Sequence, residues 1–280
     1  MIDKLALTTH EVLAPDYVAK QLRGLYSSVQ ETGSKYHLRV QSYRTTHEND
    51  DDAQLIAIHS APRHSSISPT KIEVNPTRFG SFTALKNLIQ RLVDPLGCTI
   101  TRLDHAVDLP IQIEAIQATL IWPRKQDREV YKSRKLTGFY LGKPPEQLAV
   151  YDRARKLGTA GPLTRLELRQ YRDRLPFRAF GDLPRLIEQR PFGKILWLNL
   201  DRDHECLGTR QTNSLKQLQG MVSHYGAHQA FKLMNEHSNF RRNFSAQLER
   251  PTTIPNPDEL YARNIERFFA EVPNANRSPN

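Results

Sequence analysis

The stretch that most constrains this chain is "CTITRLDHAVDLP", residues 98–110. Its β-branched residues and its alternation predict a strand. Successive strand side chains point to opposite faces, so Asp104, Ala106 and Asp108 share one face and Leu103, His105 and Val107 the other. Two carboxylates separated only by an alanine inside an otherwise apolar strand are costly unless something compensates them. Two readings of the pair stand. In one, the carboxylates hold a hard divalent cation, Mg²⁺ or Mn²⁺, whose chemistry favours oxygen ligands. In the other, they are salt-bridged to nearby arginines, or Asp108 caps a helix beginning near residue 110.

A second stretch, "LTRLELRQY" (163–171), repeats the pattern. Arg165, Glu167 and Arg169 line one face, with Leu166 and Leu168 on the other. On a strand neighbouring residues 98–110, Glu167 is a candidate third oxygen ligand, and the arginines suit a bidentate grip on phosphate. An edge strand with a solvated charged face is the alternative. Between the two lies "LAVYDRARK" (148–156), which sets Tyr151 where an apolar run meets positive charge. An ordinary phenol ionises at about pH 10 and needs activation before it attacks phosphorus near neutral pH. Arg153, Arg155 and Lys156 each favour the phenolate. A tyrosine packed at a sheet edge is the plainer alternative.

Charge narrows the partner. The 280-residue chain carries a formal +10, and 14 Lys/Arg against 6 Asp/Glu fall between Pro123 and Arg174. That excess points to a polyanion, nucleic acid or an acidic membrane surface. No segment approaches about 18 uninterrupted apolar residues, and the first residues lack a signal-peptide core. Cys98 and Cys206 form no CxxC pair and cannot make a tetrahedral sulfur site. A reduced, cytoplasmic protein is expected.

The coarse organisation is α+β, with two antiparallel-sheet units, flanking helices and a helical C-terminal segment. Strands are expected at 35–44, 54–61 and 71–76, then a serine-capped helix over about 82–94 ended by Pro95 and Gly97. These make an N-terminal unit, 1–97. A second unit, 98–205, holds the strand at 98–110, a helix over 111–121, strands at 136–142, 147–153 and 163–171, a helix around 181–190 and a strand at 194–200. Residues 206–280 read as mainly helical with a disordered tail and a last helix over about 257–271. "RKQDREVYKSRK" (124–135), with Arg124 and Lys125, reads as a loop against a DNA backbone, or as disorder. His224 and His228, spaced i, i+4, lack an adjacent catalytic glutamate, so they are a poor zinc signal. Lys216, Lys232, Arg241, Arg242 and Arg250 are candidate duplex contacts or ordinary surface charges.

Taken together, "ITRLDHAVDL", "TGFYLG…LAVYDRARK" and "LTRLELR" resemble the trans-acting rolling-circle replication initiators of small bacterial plasmids and phages, and related relaxases of integrative elements. The likeness covers about residues 98–170, in order. By position it makes Tyr151 the nucleophile and Asp152 its acidic neighbour, Asp104, Asp108 and Glu167 the acidic positions, and Arg102 and Arg165 the strand arginines. The family's serine-arginine/lysine after "FYLG" is Lys143-Pro144 here, its arginine before the tyrosine is Ala149, and its lysine after it is Arg153. Lys143 and Arg153 stand in as phosphate contacts. The resemblance implies a nickase. A Mg²⁺ or Mn²⁺ ion on Asp104, Asp108 and Glu167 polarises one DNA phosphate. Tyr151 then attacks, leaving a 5′-phosphotyrosine and a free 3′-hydroxyl that primes replication, with Arg153 and Arg165 stabilising the charge. It also implies DNA contacts from Arg102, Lys143, Arg155, Lys156, Arg169, Arg124 and Lys125, a single-stranded or extruded origin, a homodimer and a host helicase. Two further readings are a DNA-binding regulator without catalysis on the same scaffold, and a metal phosphodiesterase that activates water.

Overall fold

The computed structural model describes residues 1–22, 26–32, 35–43, 54–122, 127–132, 135–201, 209–235 and 247–270. The fold is α+β, built on a large antiparallel sheet with flanking helices and a helical C-terminal part. The chain forms two compact units, each assembled from separate segments. The first comprises 1–106, 169–189 and 261–280; the second comprises 107–168 and 190–260.

The first unit contains β1 (Ile2–Thr9), α1 (Pro15–Gln21), β2 (Tyr26–Glu31), β3 (Tyr36–Tyr43), β4 (Gln54–Pro62), β5 (Thr70–Val74), α2 (Phe82–Leu92) and most of β6 (Thr99–Leu109). Its strands run in the order β2-β3-β4-β5-β1-β6. The register makes one face apolar: Leu5 stands opposite both Val74 and Leu103, Leu7 opposite Ile72, and Ile58 opposite both Ile72 and Val40. All of these are buried. At roughly 1.5–3 kcal/mol per fully buried aliphatic side chain, this face is the unit's main source of cohesion. The expected helix is α2. Ser81 Oγ accepts a hydrogen bond from Ala84 N at 3.2 Å, and Leu85, Leu88, Ile89 and Leu92 recur at helical spacing on its buried side. The opposite face of the sheet is polar, with Lys4 opposite Asp104, Ala6 opposite both Arg102 and Glu73, and Lys71 opposite His59.

The second unit holds the end of β6, α3 (Ile113–Gln117), β7 (Leu120–Ile121), β8 (Asp127–Lys132), β9 (Lys135–Lys143), β10 (Glu146–Asp152), α4 (Arg153–Leu157) and most of β11 (Thr164–Tyr171). Here the order is β6-β11-β10-β9-β8. The expected helix over 111–121 is only one short turn, α3, after which the chain becomes extended and β7 pairs with β12 (Leu196–Trp197). The expected strand at 194–200 is therefore two residues long, and the expected helix at 181–190 is a 3-10 helix, Phe180–Glu188, with Pro184 inside it. Part of the expected loop at 124–135 is β8, paired with β9.

The helix α5 (Thr209–Asn235) is two rods, because Gly226 sits at φ 76° in its middle. A side chain there would meet Gln117 Cγ at 2.8 Å. The apolar cluster beneath it gathers Ile121, Leu198, Leu215, Leu218 and Val222. The last helix, α6 (Pro257–Phe269), begins in the second unit and continues in the first. Among the described residues no helix is long and apolar enough to cross a membrane.

Candidate active site

Strand β10 carries Tyr151 at its end, opposite Gly138 of β9. The pairing depends on that glycine: a Cβ at 138 would lie 3.0 Å from Val150 O and 3.2 Å from Tyr151 Cβ. The half-buried Tyr151 donates its phenol hydrogen to Glu167 Oε2 of β11 at 3.0 Å, and Glu167 is itself buried. On the same strand as Glu167, two residues away, Arg165 grips Asp108 of β6 with both ends of its fork, Nε to Oδ1 at 2.6 Å and Nη2 to Oδ2 at 2.7 Å. Arg165 is the buried partner, at 5% exposure against 24% for Asp108. Alternation along β11 puts Arg165 and Glu167 on one face, so their contacts bring Asp108 and Tyr151 to that face too. The second unit thus assembles a phenol, an acceptor carboxylate and an arginine–aspartate pair from three strands that the sequence had singled out separately.

Immediately after Tyr151 the chain turns. Asp152 Oδ1 accepts from Arg155 N at 2.9 Å and starts α4, which Gly158 closes in a left-handed conformation, φ 66°. Arg153 is buried at the helix start, whereas Arg155 and Lys156 are exposed. Asp152, Arg155, Thr159, Thr164 and Gln112 line a cleft of about 510 Å³. Lys143 is exposed at the end of β9. Arg124 and Lys125, like Arg241 and Arg242, lie outside the described residues.

In the first unit, Asp104 is almost completely buried, at 1% exposure, and is held by Arg102 in a second bidentate pair, Nε to Oδ1 at 2.8 Å and Nη2 to Oδ2 at 2.5 Å. Arg169 is half-buried in the part of β11 that belongs to the first unit. Of the two readings of the "DHAVD" carboxylates, the arginine-paired one describes both as they stand. Asp108 does not cap a helix; α3 starts at Gln112 without a side-chain cap.

A metal on Asp104, Asp108 and Glu167 requires their oxygens to converge on one ion. Both oxygens of Asp104 and both of Asp108 are engaged by guanidinium forks, and Glu167 accepts from Tyr151. Among the described residues no group of three or more His, Cys, Asp or Glu side chains is arranged to hold a metal ion. The residues as placed do not fit that ligand set.

On the face of β6 opposite the carboxylates, His105 is fully buried. Its Nδ1 accepts from the Tyr261 hydroxyl at 2.7 Å and its Nε2 faces Gln170 Oε1 at 3.1 Å. Burial pushes its pKa down to about 3, against a smaller upward effect of the bond to Gln170. It is a neutral, structural histidine. His228 is structural too: its Nδ1 accepts from Trp122 N at 3.3 Å, while His224 is exposed on the other side of the Gly226 break.

No protein-family model matches this sequence, and no curated protein matches it. Among solved structures the chain is similar to a rolling circle replication initiator protein from Geobacillus stearothermophilus. That similarity has 16% sequence identity and a TM-score of 0.43, over 79% of this chain and 96% of that one.

Two contacts on these strands are not written in the local sequence pattern alone. Gly138, in "LTGFYLG", marks the close approach of β9 to the tyrosine, and an isolated glycine within a strand pattern is the signal for such an approach. Tyr171, at the end of β11, lies under Arg102, with Arg102 Cζ 5.1 Å from its ring centroid. Nothing local announces that contact.

Proposed function

We propose that the protein is a DNA nicking-closing enzyme that initiates rolling-circle replication of a plasmid or phage, with Tyr151 as nucleophile. The observation that carries this reading is the Tyr151–Glu167 hydrogen bond at 3.0 Å, beside the buried Arg165–Asp108 pair. A half-buried phenol whose hydrogen already points at a carboxylate has a proton acceptor in place. The surplus of Lys/Arg over Asp/Glu in residues 123–174 supplies the field that draws in a polyanion.

In this reading the Tyr151 oxygen attacks a DNA phosphorus in line. The bond to the 3′-oxygen breaks, the DNA is left joined through a 5′-phosphotyrosine, and the released 3′-hydroxyl primes synthesis. Attack by that hydroxyl on the phosphotyrosine reseals the strand, so one site both opens and closes. Glu167 accepts the phenol proton as the P–O bond forms, and a proton from water completes the departing 3′-hydroxyl. Arg153 and Arg165 offset the charge that builds on the phosphoryl oxygens. A single-stranded or extruded target exposes its phosphate to such a site, and Arg155 and Lys156, exposed on α4, are suited to hold the flanking backbone.

The test is to incubate the protein with supercoiled DNA of its own replicon, in Mn²⁺, in Mg²⁺ and in EDTA, and to resolve products under denaturing conditions beside Tyr151→Phe. A nicked circle that carries protein covalently, absent in the variant, is the expected result. Nicking that survives the substitution moves the nucleophile to water or to another tyrosine. Tight binding without nicking makes the chain a DNA-binding regulator.

A further inference from the structure

We propose that Arg102 is a phosphate-binding residue of the first unit and that Asp104 positions it instead of ligating a metal, the ligand being the backbone of single-stranded DNA. This rests on the reading of the chain as a DNA-acting protein, and it concerns a different place from the tyrosine.

The two residues are i and i+2 on β6, so their side chains leave the same face of the strand. The paired contacts, 2.8 Å at Nε and 2.5 Å at Nη2, fix the plane of the guanidinium as well as its position. Exposure then divides the roles. Asp104 is closed off at 1%, whereas Arg102 keeps 22% of its side-chain surface in solvent. A ligand arriving from solvent meets the cation and not the acid. Tyr171 adds a second constraint, its ring lying 5.1 Å from Arg102 Cζ. A guanidinium clamped along one edge and shelved on an aromatic face has lost most of the rotamer freedom that a surface arginine surrenders on binding.

The surroundings favour an anion. Opposite Arg102 in the register is Ala6, a methyl group only, and opposite Asp104 is Lys4. Lys4 is one-third exposed and lies 3.5 Å from Glu73, so that acid is shared among Lys4, Lys71 at 2.5 Å and His59 at 3.6 Å. A divalent cation at Asp104, by contrast, would sit against a fixed positive charge that already occupies both oxygens. Phosphate is the anion that a planar fork matches.

The experiment measures binding alone. A fluorescein-labelled mixed-sequence single strand of about 20 nucleotides is titrated with protein in EDTA, at several salt concentrations, and read by anisotropy. Arg102→Ala is expected to weaken binding about tenfold and to flatten the log K–log salt slope by about 0.7, the loss of one phosphate contact on a single strand. Arg102→Lys, which keeps the charge and a partner for the buried acid, is expected to keep the slope and still lose affinity, because the fork is gone. Asp104→Asn is expected to weaken binding in EDTA while Mn²⁺ binding, followed by electron spin resonance of the metal alone, stays at the wild-type level. Circular dichroism of each variant separates misfolding from a local loss, and Arg102→Lys carries the test if Asp104→Asn does not fold. Arg102→Ala and Arg102→Lys binding like wild type overturns the inference. So does an Asp104→Asn protein that loses Mn²⁺ yet binds the strand normally in EDTA. Wild-type protein that binds neither this strand nor its duplex overturns the DNA reading itself, which is a separate outcome.

Discussion

Two tyrosine hydroxyls in this molecule each sit against a titratable side chain, in contrasting surroundings. In the first unit Tyr261 is fully buried and donates to His105 Nδ1 at 2.7 Å. In the second, Tyr151 is half-buried and donates to Glu167 Oε2 at 3.0 Å. The distances are similar; the surroundings are not. His105 is kept neutral by burial, so its bond to Tyr261 is a polar pin between β6 and α6. Tyr151 stands at a strand end where the chain turns into an arginine-rich helix, next to a cleft. A hydrogen-bonded tyrosine therefore becomes a candidate reagent through its access to solvent and its neighbouring charge. Hydrogen bonding alone does not distinguish the two.

Four outcomes break or sharpen that contrast. The largest is categorical: Tyr151→Phe eliminates the covalent protein–DNA adduct on denaturing gels, while Tyr261→Phe leaves the adduct yield per folded molecule unchanged. Loss of the adduct in both proteins would erase the distinction. Next, Asp108→Asn removes the carboxylate that grips the buried Arg165, at 5% exposure, and denaturant unfolding is expected to show a loss of about 3 kcal/mol. A loss below about 0.5 kcal/mol would place this pair with ordinary surface salt bridges. Third, Tyr261→Phe is expected to cost about 1–3 kcal/mol by the same assay, since it leaves His105 Nδ1 buried without a donor.

The smallest effect is a pH dependence. The folded-state pKa of His105 is about 3, below the 6.5 of an unperturbed histidine, so the unfolded chain takes up the proton first. Stability from this residue is complete above pH 6.5 and is lost as pH falls from there towards 3. The decline is about 1 kcal/mol over the first pH unit below 6.5. Unfolding midpoints followed from pH 7.5 to 5.5 measure it, and His105→Leu, whatever its absolute stability, is expected to lack this component.

Much of the candidate site was legible because strands write their faces into sequence. The period-2 alternation of "TRLDHAVDL" and "TRLELRQY" puts Asp104 with Asp108 and Arg165 with Glu167, and both stretches are strands, β6 and β11. What the acids do was not legible. Arg102 and Asp104 are near neighbours in the chain, but Asp108 and Arg165 are 57 residues apart, and only the pairing of β6 with β11 joins them. His105 was correctly placed on the apolar face, yet its partner Tyr261 lies 156 residues away. In the fold, Asp3 and Lys4 blur the alternation of β1, and the charges of β8 read as a loop against a DNA backbone or as disorder. The expected strand "KILWLNL" shortened to Leu196–Trp197, since its apolar residues face a small helical core that an apolar run cannot distinguish from a sheet.

Gly138 turns the site into a criterion for sorting sequences. A chain that keeps the tyrosine but carries any side chain across from it has to push β9 and β10 apart or retwist the tyrosine's own backbone, because the added carbon would stand 3.0 Å from a carbonyl oxygen and 3.2 Å from the tyrosine's Cβ. Under the proposal that Tyr151 is the nucleophile, a chain that keeps the tyrosine but fills the glycine site is expected to bind DNA without cutting it.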